Sequence, residues 1–119
     1  MKSDNVIQIK SFNFAIRIVN VYKFLSIEKK EFILSKQLLR AGTSIGANIE
    51  ESIGGQSDKD FISKLSIAYK EARETKYWIK LLQATDFLTL EQAESLLTDA
   101  EELCKIIGKI QISMKLKNS

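Results

Sequence analysis

A chain of 119 residues, 45% hydrophobic and 28% charged, has the composition of one soluble domain that can bury a core without metals or disulfides. It holds no histidine and one cysteine, which excludes Ser-His-Asp and Cys-His catalytic sets, Glu-x-x-His di-iron ligands and any intrachain disulfide. A net charge of +3 is a mild bias, compatible with a polyanionic partner but not diagnostic of one.

No apolar run approaches the roughly 20 residues that span a bilayer. Met1-Lys2-Ser3-Asp4-Asn5 runs into mixed sequence without a signal-peptide core, so a cytoplasmic location is expected. Proline is absent, and apolar residues recur at alternating three- and four-residue steps. Four helices are expected, at about 5–26, 30–53, 57–86 and 89–116. Their short connections make successive helices antiparallel neighbours. The expected fold is all-α: a single-domain, antiparallel up-down-up-down four-helix bundle.

In the first helix Lys10, Asn13, Arg17 and Asn20 share one sector of roughly 80°, while most other positions are apolar, among them Ile9, Phe12, Phe14, Ile16 and Ile18. A helix of a monomeric bundle buries a narrower stripe, so a second face is expected to contact something. Self-association is the cheapest explanation; a broad, loosely packed core is the alternative. The joint at Ser26-Ile27-Glu28 is weakly marked, and the first two helices are expected to meet there through a very short turn.

The second helix has a core row of Leu34, Leu38, Ala41 and Ile45. Gly42 and Gly46 share a flank with Leu39, Ile49 and Ile53. Each glycine costs about 0.8–1 kcal/mol of helix propensity relative to alanine, so close packing there is expected to compensate. Asn48 lies at the edge of the core row, where a register-fixing hydrogen bond is expected and a ligand contact is the minor alternative.

Gly54-Gly55-Gln56 breaks the pattern, and Ser57 with Asp60 three residues on reads as a capped start to the third helix. The glycine pair follows no strand, so it is not a phosphate loop. The row Phe61, Leu65, Ala68, Ala72, Thr75, Ile79, Leu82 defines the buried face. Tyr69, Tyr77 and Trp78 are expected at the bundle edge or between subunits. Thr89 and Gln92 form a capping box for the fourth helix, with the row Leu90, Ala93, Leu97, Ala100, Cys104, Ile107, Gln111, Met114. Cys104 reads as a small core hydrophobe.

From Asp86 to Glu102 this last region carries only acids; from Leu103 onward it carries only Lys105, Lys109, Lys115 and Lys117. Matching to the helix dipole explains this segregation, with a functional basic end as the alternative. Glu71 with Glu74, and Glu101 with Glu102, lie within one turn. The pairs Lys70–Glu74, Asp60–Lys64 and Glu101–Lys105 are expected to be solvated i,i+4 ion pairs, so no metal site and no cofactor are expected. Lys10, Arg17, Lys36, Arg40, Lys105, Lys109, Lys115 and Lys117 are the candidate nucleic-acid contacts. Gly42, Gly46, Asn48, Tyr77 and Trp78 are candidates for packing or subunit contact.

The run Leu38-Leu39-Arg40-Ala41-Gly42-Thr43-Ser44-Ile45-Gly46-Ala47-Asn48-Ile49-Glu50-Glu51, with Gly55-Gln56-Ser57 and Lys70-Glu71-Ala72-Arg73-Glu74-Thr75-Lys76-Tyr77-Trp78, is distinctive. It resembles the four-helix-bundle proteins encoded in intervening sequences of bacterial 23S ribosomal RNA genes. The likeness runs from about residue 10 to about residue 82; the last helix matches only in pattern. Many relatives have Leu-Pro where this chain has Leu25-Ser26, which leaves the start of its second helix less defined.

The resemblance implies a ring-like homopentamer and brings no settled biochemical activity. A relative, the accessory variability protein of diversity-generating retroelements, binds nucleic acid and a reverse transcriptase. Its binding surface is a diffuse set of basic residues, so no residue role transfers. Five copies at +3 would carry about +15 on one particle. The expected function is therefore a non-enzymatic homo-oligomer that binds RNA or DNA backbones. The alternative is a scaffold that docks a partner enzyme, such as a reverse transcriptase, and touches nucleic acid little.

Overall fold

A computed structural model describes residues 2–117. Four helices, α1 (Lys2–Ile27), α2 (Leu34–Ile53), α3 (Asp58–Ala84) and α4 (Leu90–Lys117), surround one apolar core in a bundle 48 × 21 × 20 Å. There is no strand among the described residues. Each helix packs on two neighbours in the cyclic order α1–α2–α3–α4.

Contacts across every seam run in opposite chain directions. Ser11 meets Gly46 while Ile18 meets Gly42; Glu51 pairs with Lys64 while Arg40 pairs with Glu71. Lys76 pairs with Glu101 and Lys117 with Asp58; Lys10 pairs with Glu102 and Arg17 with Asp99. Each neighbouring pair is therefore antiparallel, as short connections demand.

The caps carry the boundaries. Ser57 Oγ accepts from the Asp60 amide at 3.1 Å. Thr89 and Gln92 close a reciprocal box: the Thr89 amide donates to Gln92 Oε1 at 2.9 Å and the Gln92 amide to Thr89 Oγ1 at 3.1 Å.

The α1–α2 joint differs from its sequence reading. It is a connection over 28–33, and α2 starts at Leu34 instead of near residue 30. Lys30 takes a left-handed conformation (φ 56°) that no helix accommodates. Glu31 then takes over the capping: its carboxylate accepts from the amides of Ile33, Leu34 and Ser35 at 3.1, 3.0 and 2.7 Å. Ser35 Oγ donates back to the Glu31 carbonyl at 2.8 Å.

The expected α3 row is buried from Leu65 to Leu82, with Phe61 half-buried. On α4 the row needs correction. Leu96, Leu103 and Ile110 are buried, whereas Leu90 is exposed and Leu97 and Gln111 are half-buried. The two rows share Ala93, Ala100, Cys104, Ile107 and Met114 and differ only in which flank turns inward.

Gly42 and Gly46 face α1 within the same chain. A Cβ on Gly42 would lie 2.7 Å from Ile18 Cγ1, and one on Gly46 would lie 3.3 Å from the Ser11 carbonyl oxygen. Asn48 does not reach another helix; its side-chain nitrogen donates to the Ser44 carbonyl at 2.8 Å, one turn back on α2.

Buried hydroxyls are satisfied locally in the same manner. Ser11, Ser35, Ser52 and Thr75 each donate to a carbonyl of the preceding turn. Each of these hydroxyls is thereby satisfied within its own segment, without a partner on another helix.

Candidate nucleic-acid interface

The acids of α3 decide where its positive charge is displayed. After Asp60 the helix carries two, Glu71 and Glu74, and both turn toward α2. Arg40 binds both, reaching Glu71 Oε2 at 3.1 Å and Glu74 at closer range. Glu71 is buried, and this guanidinium is its ion-pair partner there. Glu74 Oε2 also accepts from Trp78 Nε1 at 2.9 Å.

With its acids drawn toward α2, another sector of α3 presents exposed Lys59, Lys70, Arg73 and Lys80, none of them in an ion pair among the described residues, though Lys80 lies within electrostatic reach of Glu101. The stripe is about 30 Å long at 1.5 Å per residue. Lys105 and Lys109, exposed and one turn apart on α4, extend it sideways. Lys76, Lys80 and Lys105 line one groove with Glu94, Glu101 and Glu102.

Within that groove the Lys76–Glu101 pair is the tight contact. Its hydrogen bond raises the Lys76 pKa above the ordinary lysine value despite some burial, and holds Glu101 below the usual carboxylate value. Beneath it, burial pushes the Cys104 thiol up, which keeps it protonated and unreactive. No cluster of three or more metal-ligating side chains occurs among the described residues.

The structure separates the eight cations nominated from sequence. Lys10 pairs with Glu102 at 3.2 Å; Arg17 pairs with Asp99 at 2.6 Å and donates to Ser95 Oγ at 2.9 Å. Arg40 is committed to Glu71 and Glu74, and Lys117 lies 3.6 Å from Asp58. These four are largely neutralised by the bundle itself. Lys36, Lys105, Lys109 and Lys115 are exposed and outside any ion pair among the described residues, but Lys36 sits at the opposite end of the bundle from Lys115.

The expected i,i+4 pairs are replaced by cross-helix ones. Glu74 binds Arg40 instead of Lys70, Lys64 binds Glu51 instead of Asp60, and Glu101 binds Lys76 instead of Lys105. A long basic side chain spans an interhelical groove as easily as one helical turn, and the half-buried acid there gains more from the charge.

Lys59, Lys70, Arg73 and Lys80 were not among the cations nominated from sequence, where Lys70 was assigned to Glu74, although one signal was present. Between Phe61 and Ala84 the sector centred on Arg73 contains no acid.

Tyr77 and Trp78 sit at the bundle edge. Trp78 packs half-buried on the core, and the exposed Tyr77 ring meets it edge-on, 5.1 Å between centroids at 76°. A second exposed feature lies on α1, where Ile9, Phe12 and Ile16 point directly away from the buried Ile7, Phe14 and Ile18. Phe12 borders a groove between α1 and α2 whose floor is small, Ser11, Ala15, Thr43, Gly46 and Ala47, with Gln8 and Glu50 at one end. No helix is long and apolar enough to cross a membrane.

The family model described as 23S rRNA-intervening sequence protein matches residues 3–109. A crystal structure from Bacteroides thetaiotaomicron, described as a protein with unknown function from the S23 ribosomal protein family, is similar across almost the whole chain. It is 56% identical with a TM-score of 0.91, over 92% of this chain and 97% of that one. Among curated proteins none matches.

Proposed function

The chain belongs to the 23S rRNA-intervening sequence protein family, and from there we propose that it is a non-enzymatic, homo-oligomeric accessory protein that binds nucleic-acid backbones without reading sequence. The observation that carries the reading is the segregation of charge. The bundle pairs Lys10, Arg17, Arg40 and Lys117 with acids, yet among the described residues leaves Lys59, Lys70, Arg73 and Lys109 outside any ion pair along the α3–α4 side, with Lys80 and Lys105 flanking Glu101. A row of unpaired cations of that length matches the spaced charges of a phosphate backbone.

Self-association is part of the same proposal. Ile9, Phe12 and Ile16 are 60, 65 and 47% exposed in one row, and the small-residue groove beside Phe12 accepts protruding side chains of the kind they present. A ring of five copies, the assembly the resemblance implies, repeats each weak phosphate contact and gains by multivalency.

Mobility shift across a salt series tests the binding. Affinity is expected to fall steeply between about 50 and 200 mM salt, and the slope to drop by about one on Arg73→Gln. Binding indifferent to salt, or absent at about 50 mM, rejects phosphate contact. Light scattering tests assembly: Phe12→Asp is expected to yield a lighter particle that still melts cooperatively.

The neutralised cations favour one second reading, a protein scaffold that docks a partner enzyme on the apolar α1 row. A partner retained in pull-down after nuclease treatment, together with no mobility shift, selects it.

A further inference from the structure

We infer that the α3–α4 face takes single-stranded nucleic acid in preference to duplex, with one base stacked on Tyr77; this rests on the backbone-binding reading above and names its substrate class. The ring of Tyr77 is 58% exposed. It follows Arg73 by one turn and precedes Lys80 by three residues, so all three project from neighbouring positions on the outer side of α3. Tyr77 thus presents a flat aromatic face to water, flanked by the Arg73 and Lys80 cations.

Single strands supply a cover of the right chemistry. Their bases have free π-faces, while duplex bases are already stacked on each other and present only edges and phosphates.

The platform is also held in place. Tyr77 rests edge-on against Trp78, Trp78 is tied through Nε1 to Glu74, and Glu74 is fixed by Arg40 of α2. Neither ring is free to fold away into the core, so the tyrosine pays little ordering cost on binding. Arg40, nominated from sequence as a phosphate contact, becomes a positioning residue for this ring.

Fluorescence anisotropy with a labelled oligothymidine and a labelled duplex of the same length tests the inference, on the full-length oligomer at one fixed salt concentration. Wild type is expected to bind the single strand more tightly. Tyr77→Ala is expected to weaken single-strand binding about tenfold, leave duplex binding and the salt slope unchanged, and melt like wild type. Tyr77→Phe is expected to restore the affinity, because the stacking surface and not the hydroxyl is used.

Equal affinity of wild type and Tyr77→Ala for the single strand overturns the stacking proposal, while duplex binding with a normal salt slope leaves the backbone reading standing. No binding to either probe removes both. A change of particle mass in Tyr77→Ala without loss of affinity assigns the ring to a contact between copies and also overturns the inference.

Discussion

The two long edges of α1 are built in opposite ways. Against α2 the contact is close: Gly42 has no side chain because Ile18 occupies the space, and Gly46 lets the backbone of Ser11 approach. Against α4 the contact is polar and partly open. Lys10–Glu102 and Arg17–Asp99 bridge it, and a cleft of about 680 Å³ lies between Val21, Phe24, Leu88 and Leu96. The difference separates two jobs that a bundle must perform. Close apolar contact supplies most of the stability per unit of surface, whereas exposed ion pairs supply little energy but penalise wrong registers. One helix carries both functions on adjacent faces.

The close edge is where a substitution does most damage. Gly42→Leu forces a Cβ to 2.7 Å of Ile18 Cγ1 and adds three more carbons behind it. The expected loss is about 3 kcal/mol, seen as a lower urea midpoint. Gly46→Ala should be far milder. Its Cβ meets the Ser11 carbonyl at 3.3 Å, and the gain of about 1 kcal/mol in helix propensity offsets that crowding. Equal losses at the two positions would show that the α1–α2 edge is not tighter at Ile18 than at Ser11.

A glycine on an open edge gives the opposite sign. A Cβ on Gly108 of α4 would have nothing within 4 Å. Gly108→Ala is expected to raise stability by about 0.5–1 kcal/mol through helix propensity and a less flexible unfolded chain. Destabilisation there would mean that something packs onto α4 in the assembled protein.

The turn that leads α1 into α2 has a pH signature. Burial alone would raise the Glu31 pKa, but the amides of Leu34, Ser35 and Ile33 outweigh it and hold the carboxyl below its ordinary 4.5. A depressed folded pKa stabilises the protein fully above the unfolded value and loses that contribution as pH falls through the folded value. The cap is therefore expected to be intact above the ordinary carboxyl value of 4.5 and to fail only as pH falls well below it. Glu31→Gln should cost about 1 kcal/mol at pH 7 and flatten that part of the acid limb. An unchanged acid limb would take the cap out of the pH response.

How much of this was legible varies with the kind of interaction. Caps were readable at Ser57 and Thr89 because their partners lie three residues away. The Glu31 cap was not, because it depends on Lys30 adopting positive φ, which no local pattern signals. The doubly apolar character of α1 was visible, since both faces follow from one helical wheel, and the exposed Ile9, Phe12 and Ile16 match it.

Charge was the harder reading. Local spacing offered Lys70 to Glu74 and Lys105 to Glu101, but the acids chose Arg40 and Lys76 across the grooves. That choice released Lys70 and used Arg40, while Glu102, Asp99 and Asp58 took Lys10, Arg17 and Lys117, so the candidate interface moved from the α1 and α2 cations to α3. Periodicity says which residues share a face; only the neighbouring helix says which charges survive there.

The smallest expected effect lies on the open edge of α1, and it tests the division of labour directly. Arg17 and Asp99 meet at 2.6 Å, but their side chains remain 41 and 43% exposed, so water screens most of the attraction. A double-mutant cycle with Arg17→Ala and Asp99→Ala should return a coupling of about 0.5 kcal/mol, well below the Gly42→Leu loss. Raising salt to about 1 M shortens the screening length to roughly 3 Å and should remove most of that coupling. The Gly42→Leu loss should persist in the same buffer, because overlap of methyl groups carries no charge to screen. If the ion-pair coupling instead survives high salt undiminished, the α1–α4 edge is drier than its cleft suggests, and the contrast between the two edges of α1 collapses.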